Sequence, residues 1–353
     1  MRLTNKIINY YNIAYRTDHF PSWSELFLTR KKVFAYYGFL GDKNFGDELV
    51  FESAKELFHP HILLPVRKQM PLFVKLYKRF YRRKIAGLVI GGGTLIGPLW
   101  EREFFESLVA NSIPVYMHGT GVHEKIACAD GWKNILKGKV YGGVRGPLSI
   151  NNIQPVFNKA KIAGDAAFGI FDTGAVTNKQ PGSKKILINI GTHQVYNGQD
   201  KSRIYFEQFI GHLLNNGYEI HFLPLHSIDV KAGNELIQKF PAIQMLHIPA
   251  KFAEAVNIFR DYTFATGERL HFIVMAMLTG TPFISVNYAK KHEDLLESVL
   301  LSKAGLHPQH VSLEKMVEAF DNREQFNWKE TTSQISRLKE MQHSEQQNFM
   351  AAV

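Results

Sequence analysis

The chain has 353 residues, room for two domains of about 150 residues each with its own core. Hydrophobic residues at 45% and charged residues at 21% exclude a disordered, collagen-like or coiled-coil chain. The lone cysteine, Cys128, excludes an intrachain disulfide and a multi-cysteine zinc site, so a reducing, cytoplasmic setting is expected.

Met1–Phe20 has no apolar run ending in small residues, so no secretory signal is expected. The net charge of +10 is concentrated early: sixteen of the 42 Lys/Arg but only seven of the 32 Asp/Glu lie in Met1–Lys84. Arg67–Lys84 alone carries eight cations and no acid, with Leu72, Phe73, Leu76, Tyr77, Phe80 and Tyr81 interleaved at helical spacing. That pattern fits an interfacial helix on anionic lipid and equally a solvated basic helix packed on its own domain. No nucleic-acid reader motif accompanies it, so nucleic acid is not expected as a partner.

From Lys32 onward, apolar runs of strand length alternate with helical patterns, the signature of βαβ units and parallel sheets. Strands are predicted at Val33–Tyr37, Leu88–Ile90, Val115–His118 and Val140–Val144, with helices over Asp47–Phe58, Pro98–Asn111 and Pro147–Asn152. Thr173–Ser183 reads as a linker. Strands follow at Ile186–Ile190, Glu219–Leu223, Gln244–His247, Thr263–Ala265 and Pro282–Val286, and a polar helix over about 327–347 closes the chain. The uncharged run Phe272–Ala289 is cut by Gly280-Thr281-Pro282, so no membrane-spanning helix is expected. The expected fold is α/β: two Rossmann-like doubly wound domains, 1–175 and 176–353, facing a cleft in the glycosyltransferase-B manner.

Four strand ends carry unusual residues. Tyr37 leads into a glycine-studded loop with Asn44, Gly46, Asp47 and Glu48. Asp47 there either caps a helix or handles a sugar hydroxyl. The buried run ending at Ile90 meets Gly91, Gly92 and Gly93, with a helix expected after them; the turn either aims N–H groups at a phosphate or permits tight packing. It lacks the residues of a P-loop or a dinucleotide fingerprint. Arg145 follows a strand with Pro147 ready for the first helical position, and offers a planar fork to an anion or a surface salt bridge. His118 and Asp165 are expected at comparable strand-to-loop positions. Gly267, Glu268, Arg269, Leu270 and His271 run from a strand into an apolar helix, where side chains and backbone N–H groups can converge on one anion.

Taken in order, these segments resemble the polysaccharide pyruvyl transferase family. The resemblance rests on Gly41-Asp-Lys-Asn44-Phe-Gly46-Asp47-Glu48, Gly91-Gly92-Gly93, Arg145-Gly-Pro-Leu-Ser149, Gly164-Asp165-Ala-Ala-Phe168, Gly267-Glu-Arg269-Leu-His271 and Tyr288-Ala-Lys-Lys291. It implies transfer from phosphoenolpyruvate to two hydroxyls of a hexose, forming a ketal on a cell-surface polysaccharide or its lipid-linked precursor; with a lipid-linked acceptor, Arg67–Lys84 would hold the enzyme at the inner face of the cytoplasmic membrane. Arg269, Arg145, Gly91–Gly93, Leu270 and Lys291 would bind the donor. His271 would be the general acid and Asp47 would hold or deprotonate the acceptor. Asn44, Glu48, His118, Asp165, His193 and Glu268 would line the site, His193 standing where many members carry an arginine. Phosphoenolpyruvate is then a co-substrate, and no metal or other cofactor is expected. A nucleotide-sugar glycosyltransferase of the same architecture and a non-catalytic membrane-surface protein remain the rival readings.

Overall fold

The structure is a computed structural model that describes residues 19–28, 30–40, 43–66, 72–80, 84–98, 105–106, 108, 112–124, 126, 129–172, 184–191 and 202–353. The expected linker 173–183, residues 67–71 and 81–83 of the basic segment, and His193 lie outside them, as does most of the helix expected over 98–111. The chain forms two compact units. One comprises Met1–Asp42, Val50–Ile170 and Arg337–Val353, and the other Lys43–Leu49 and Phe171–Ser336.

The first unit contains α1 (Trp23–Leu28), β1 (Val33–Tyr37), most of α2 (Phe45–Leu57), β2 (Ile62–Pro65), α3 (Leu72–Phe80), β3 (Ile85–Ile90), β4 (Thr94–Ile96), β5 (Val115–Val122), α4 (Ala129–Ile135), β6 (Val140–Val144) and α5 (Pro147–Ile153). The sheet runs β2-β1-β3-β5 with β6 beyond β5, all parallel. This is the doubly wound order in which the reversal lies between β1 and β3. Alternate β1 residues explain why the strand is apolar throughout. Val33, Ala35 and Tyr37 pack on one face with Leu64, Leu88, Ile90 and Trp132, whereas Phe34 and Tyr36 pack on the other with Phe58, Tyr116 and Phe349. A sheet covered on both faces needs such continuous runs.

The second unit follows with β7 (Lys185–Asn189), α6 (Ser202–Asn215), β8 (Glu219–Phe222), α7 (Asp229–Lys239), β9 (Gln244–Met245), α8 (Phe252–Arg260), β10 (Phe264–Gly267), α9 (Leu270–Leu278), β11 (Phe283–Val286), α10 (Lys290–Ser298), β12 (Gly305–Leu306), α11 (Leu313–Asp321) and the start of α12 (Trp328–Ala351). Its parallel sheet runs β9-β8-β7-β10-β11-β12, the Rossmann order with the reversal between β7 and β10.

Several expectations change. A single crossing at 175/176 was expected, yet the start of α2 groups with the second unit and the end of α12 with the first. The last turns of α12 supply Phe349 to the aromatic face of the first sheet, 5.5 Å from Phe34 and 5.7 Å from Tyr116 between ring centroids. They also supply Gln342, whose Nε2 donates to the carbonyls of Ala163 and Asp165. The three glycines lead into strand β4 rather than a helix, because Thr94–Ile96 pairs with Gly121 and Val122. β2, β4, α4 and β12 were not predicted; each is only two to seven residues long, too short for a periodicity to stand out.

Candidate functional site

In a doubly wound sheet, ligands bind outside the carboxyl ends of the strands at the point where the order reverses. In the second unit this point is framed by Asn189, the last residue of β7, and by Gly267, Glu268 and Arg269 at the end of β10. Arg269 is the extended residue that precedes α9, with φ −73° and ψ 129°, so its side chain and the positive end of the helix lie at one edge of the sheet.

Arg269 is held by a residue that the strand-end reading passed over. Asp229, the first residue of α7, is fully buried. Its Oδ1 accepts from Arg269 Nε at 3.0 Å and from Nη2 at 2.5 Å. Its Oδ2 accepts from the backbone N–H groups of Leu225 at 3.2 Å and His226 at 3.1 Å. Asn189 joins the same network, since its Oδ1 accepts the Arg269 backbone N–H at 3.2 Å and its Nδ2 donates to the Leu223 carbonyl at 2.8 Å. A signal was present in the sequence: His226-Ser-Ile-Asp229 follows a buried strand and opens a helix, the placement of the four strand ends that were singled out.

The Asn44–Glu48 motif belongs to this unit in space. Phe45 donates its N–H to the Leu225 carbonyl at 2.8 Å, and Asn44 forms an antiparallel bridge with His226. Asn44 Oδ1 accepts from Gly46 N–H at 3.1 Å and Asn44 Nδ2 donates to Asp47 Oδ2 at 2.6 Å. Asp47 and Glu48 therefore sit in the first turn of α2, where carboxylates suit free N–H groups. Gly46 packs directly on the buried His271: a Cβ at this position would lie 2.0 Å from His271 Nδ1. The loop motif and the Arg269–His271 motif thus meet, although more than 220 residues separate them in sequence.

The remaining predicted residues of this unit flank the same edge. Glu268 Oε2 accepts the Gly191 N–H at 2.8 Å, and the Glu268 carbonyl lies 2.7 Å from His292 Nε2. The His292 ring stands edge-on to Tyr288, and Lys291 Nζ lies 4.7 Å from the centre of the Tyr288 ring. Leu270 is buried in the first turn of α9.

In the first unit, Gly91–Gly93 follow β3 at the reversal between β1 and β3. Their glycines have packing reasons: a Cβ on Gly91 would lie 2.2 Å from the Tyr36 hydroxyl, and one on Gly92 would lie 2.8 Å from Val50. Gly93, with φ +87°, holds a backbone conformation that other residues resist. Arg145 is not a surface residue. It is 2% exposed, with its guanidinium against Gly121, where a Cβ would lie 2.4 Å from Nη2. His118 does not end its strand, because β5 continues to Val122 and buries it completely. Burial pushes its pKa down to about 4, against an opposing pull from Asp165. Asp165 is buried and Oδ1 accepts the Ala167 N–H at 3.0 Å, starting the short helical turn Ala166–Ile170.

Among the described residues no group of three His, Cys, Asp or Glu side chains could hold a metal ion, and no helix is long and apolar enough to cross a membrane.

Comparison with known structures shows the fold. UDP-GlcNAc 2-epimerase from Methanocaldococcus jannaschii aligns with a TM-score of 0.51 at 12% identity, over 82% of this chain and 91% of that one. The Neisseria meningitidis UDP-GlcNAc 2-epimerase bound to UDP-GlcNAc gives 0.51 at 11% identity, over 85% and 93%. Anabaena HepE in complex with UDP and glucose gives 0.50 at 11% identity, over 90% and 95%. The fold class is therefore the expected one, two Rossmann-like α/β domains of the glycosyltransferase-B-like kind. A search of curated proteins returns no match. The model of one family, polysaccharide pyruvyl transferase, matches residues 44–290, which takes in every motif from the Asn44 turn to the lysine that opens α10. On that match, and with those motifs gathered at strand ends, the chain belongs to the polysaccharide pyruvyl transferase family.

Proposed function

We propose that this chain transfers the pyruvyl group of phosphoenolpyruvate to two hydroxyls of a hexose in a cell-surface polysaccharide or its lipid-linked precursor, forming a cyclic ketal. The observation that carries the proposal is the meeting of Arg269 and His271, at the end of β10 and the start of α9, with the docked Asn44–Glu48 turn. The donor carries a carboxylate and a phosphate, so it needs a fixed cation beside a helix N-terminus, and Arg269 with the start of α9 supplies both. Lys291, in the same unit, joins them in the donor-binding set.

The chemistry then runs as an addition and a displacement. The protonated His271 gives its proton to the methylene carbon of the donor, which becomes a methyl group and leaves the adjacent carbon electrophilic. One sugar hydroxyl bonds to that carbon and gives up its proton. The second hydroxyl displaces inorganic phosphate and closes the ring, its proton leaving with the phosphate or to solvent. Asp47, oriented by Asn44 Nδ2, holds the acceptor hydroxyl or takes its proton. No step requires a metal or a redox cofactor.

The acceptor side includes an anionic membrane surface. The rings of Phe27 on α1 and Tyr77 on α3 pack edge to face with centroids 5.4 Å apart. Beside them Leu28 and Leu76 are 72% and 43% exposed, on helices that carry or border Arg30, Lys31, Lys75, Lys78 and Arg79. Exposed leucines among cations suit a lipid interface.

The test is a binding and turnover comparison. Phosphoenolpyruvate should raise the melting temperature and UDP-sugars should not. His271→Ala should lower kcat about 100-fold while phosphoenolpyruvate binding changes far less. Stabilisation by a UDP-sugar alone would replace this reading with glycosyl transfer.

A further inference from the structure

We infer that Asp229 is a positioning residue, which fixes Arg269 so that the Nη1 side of its guanidinium faces the anionic group of the donor. The inference rests on the reading that Arg269 binds that donor. A guanidinium offers its fork on two edges, one formed by Nε and Nη2 and one by the two Nη atoms. Asp229 takes the first edge with three hydrogen bonds, its Oδ1 accepting from Nε and Nη2 and its Oδ2 accepting from Nε. Among the described residues Nη1 has no hydrogen-bond partner, and the side chain keeps 13% of its surface exposed. The second edge is thus the one left to meet a carboxylate or phosphate with two parallel hydrogen bonds.

Asp229 can act as a fixed reference because it is itself held. It is fully buried, and its Oδ2 is bound by the N–H groups of Leu225 and His226. The same two residues face the Asn44 motif with their other hydrogen-bonding edge, through the Leu225 carbonyl to Phe45 N–H and the bridge between His226 and Asn44. One two-residue turn therefore holds the carboxylate that orients Arg269 and the loop whose Gly46 packs on His271. A shift at either end is felt at the other, so Asp229 ties the orientation of the cation to the docking of the loop.

The role separates from simple electrostatics by its sign. A carboxylate beside a donor-binding arginine weakens the attraction for an anion, so if charge alone mattered, removing it would tighten phosphoenolpyruvate binding. If orientation matters, removing it loosens binding, because the guanidinium no longer has a fixed second edge. The experiment is calorimetric titration of phosphoenolpyruvate into the full-length wild type, Asp229→Asn, Arg269→Ala and the double variant, each below its melting temperature. Asp229→Asn should weaken the affinity about tenfold or more, equivalent to about 1.4 kcal/mol. The same change in the Arg269→Ala background should do nothing further, since a residue acting through Arg269 has nothing left to act on. Equal or tighter binding by Asp229→Asn overturns the inference. So does equal weakening in both backgrounds, which marks a purely structural role. Wild-type affinity in Arg269→Ala overturns the reading of the donor site, and the inference with it. Should Asp229→Asn fail to fold, Arg269→Lys serves instead: an ammonium can pair with Asp229 but has no second edge, so it should bind as poorly as Arg269→Ala, and wild-type affinity in Arg269→Lys overturns the inference.

Discussion

Removing Arg269 should destabilise the protein as well as weaken donor binding, and the geometry sets the size. Asp229 has no side-chain exposure and Arg269 only 13%, so Arg269→Ala leaves a carboxylate in the interior without its counter-charge. Breaking such a buried pair from one side costs about 3–5 kcal/mol. The N–H groups of Leu225 and His226 and the more distant Asn189 Nδ2 still reach the carboxylate, which points to the lower end of that range. For a folding unit of this size, 1 kcal/mol corresponds to about 2–4 °C, so the melting temperature should fall by roughly 6–12 °C. Adding Asp229→Asn removes the stranded charge and should recover part of that loss, because an uncharged amide is far cheaper to bury. Differential scanning fluorimetry at neutral pH on the wild type, the single variant and the double variant measures this directly. A shift under 2 °C for Arg269→Ala, or a double variant that melts below it, would refute the view that the pair is a buried, mutually compensating one.

Three further outcomes follow from particular contacts. Gly46→Ala places a methyl group against His271 Nδ1 and should cost about 1–3 kcal/mol by overpacking; its kcat should fall more than its phosphoenolpyruvate affinity, and unchanged kcat would detach the loop from the acid. His118, with its pKa pushed down to about 4 by burial, binds its proton more weakly folded than unfolded. It thus contributes stability that is fully present above pH ~6.5 and is lost as pH falls toward 4, about 3 kcal/mol at most. Urea denaturation between pH 4 and 7 should show a shallower pH slope for His118→Gln than for the wild type, and identical slopes would refute the assignment. Replacing Lys75, Lys78 and Arg79 with glutamine should cut binding to vesicles containing anionic lipid by about 3 kcal/mol at ~1 kcal/mol per charge. Equal flotation of this variant and the wild type at low salt would show that α3 is an ordinary solvated helix.

The alternation of strand and helix was legible because both faces of each parallel sheet are covered, which leaves unbroken apolar runs such as Val33–Tyr37 and Ile186–Ile188. The candidate site residues stood out for a related reason. Doubly wound sheets put ligands at strand ends, so Gly91–Gly93, Arg145 and Arg269 each follow such a run. Local pattern also sufficed for Asn44 and Asp47 as the opening of a helix, since their hydrogen bonds reach only two or three residues along the chain.

What depends on distant partners was not legible. That Gly46 touches His271, that Asp229 pairs with Arg269 and that Phe349 closes the aromatic face of the first sheet are contacts between residues 40 to 315 positions apart. Burial of Arg145 and His118 is likewise set by what packs over them, and a strand end looks the same in sequence whether a helix covers it or not. Periodicity reports which face of an element is apolar; only the folded arrangement supplies the neighbour that each polar side chain must find once water is excluded.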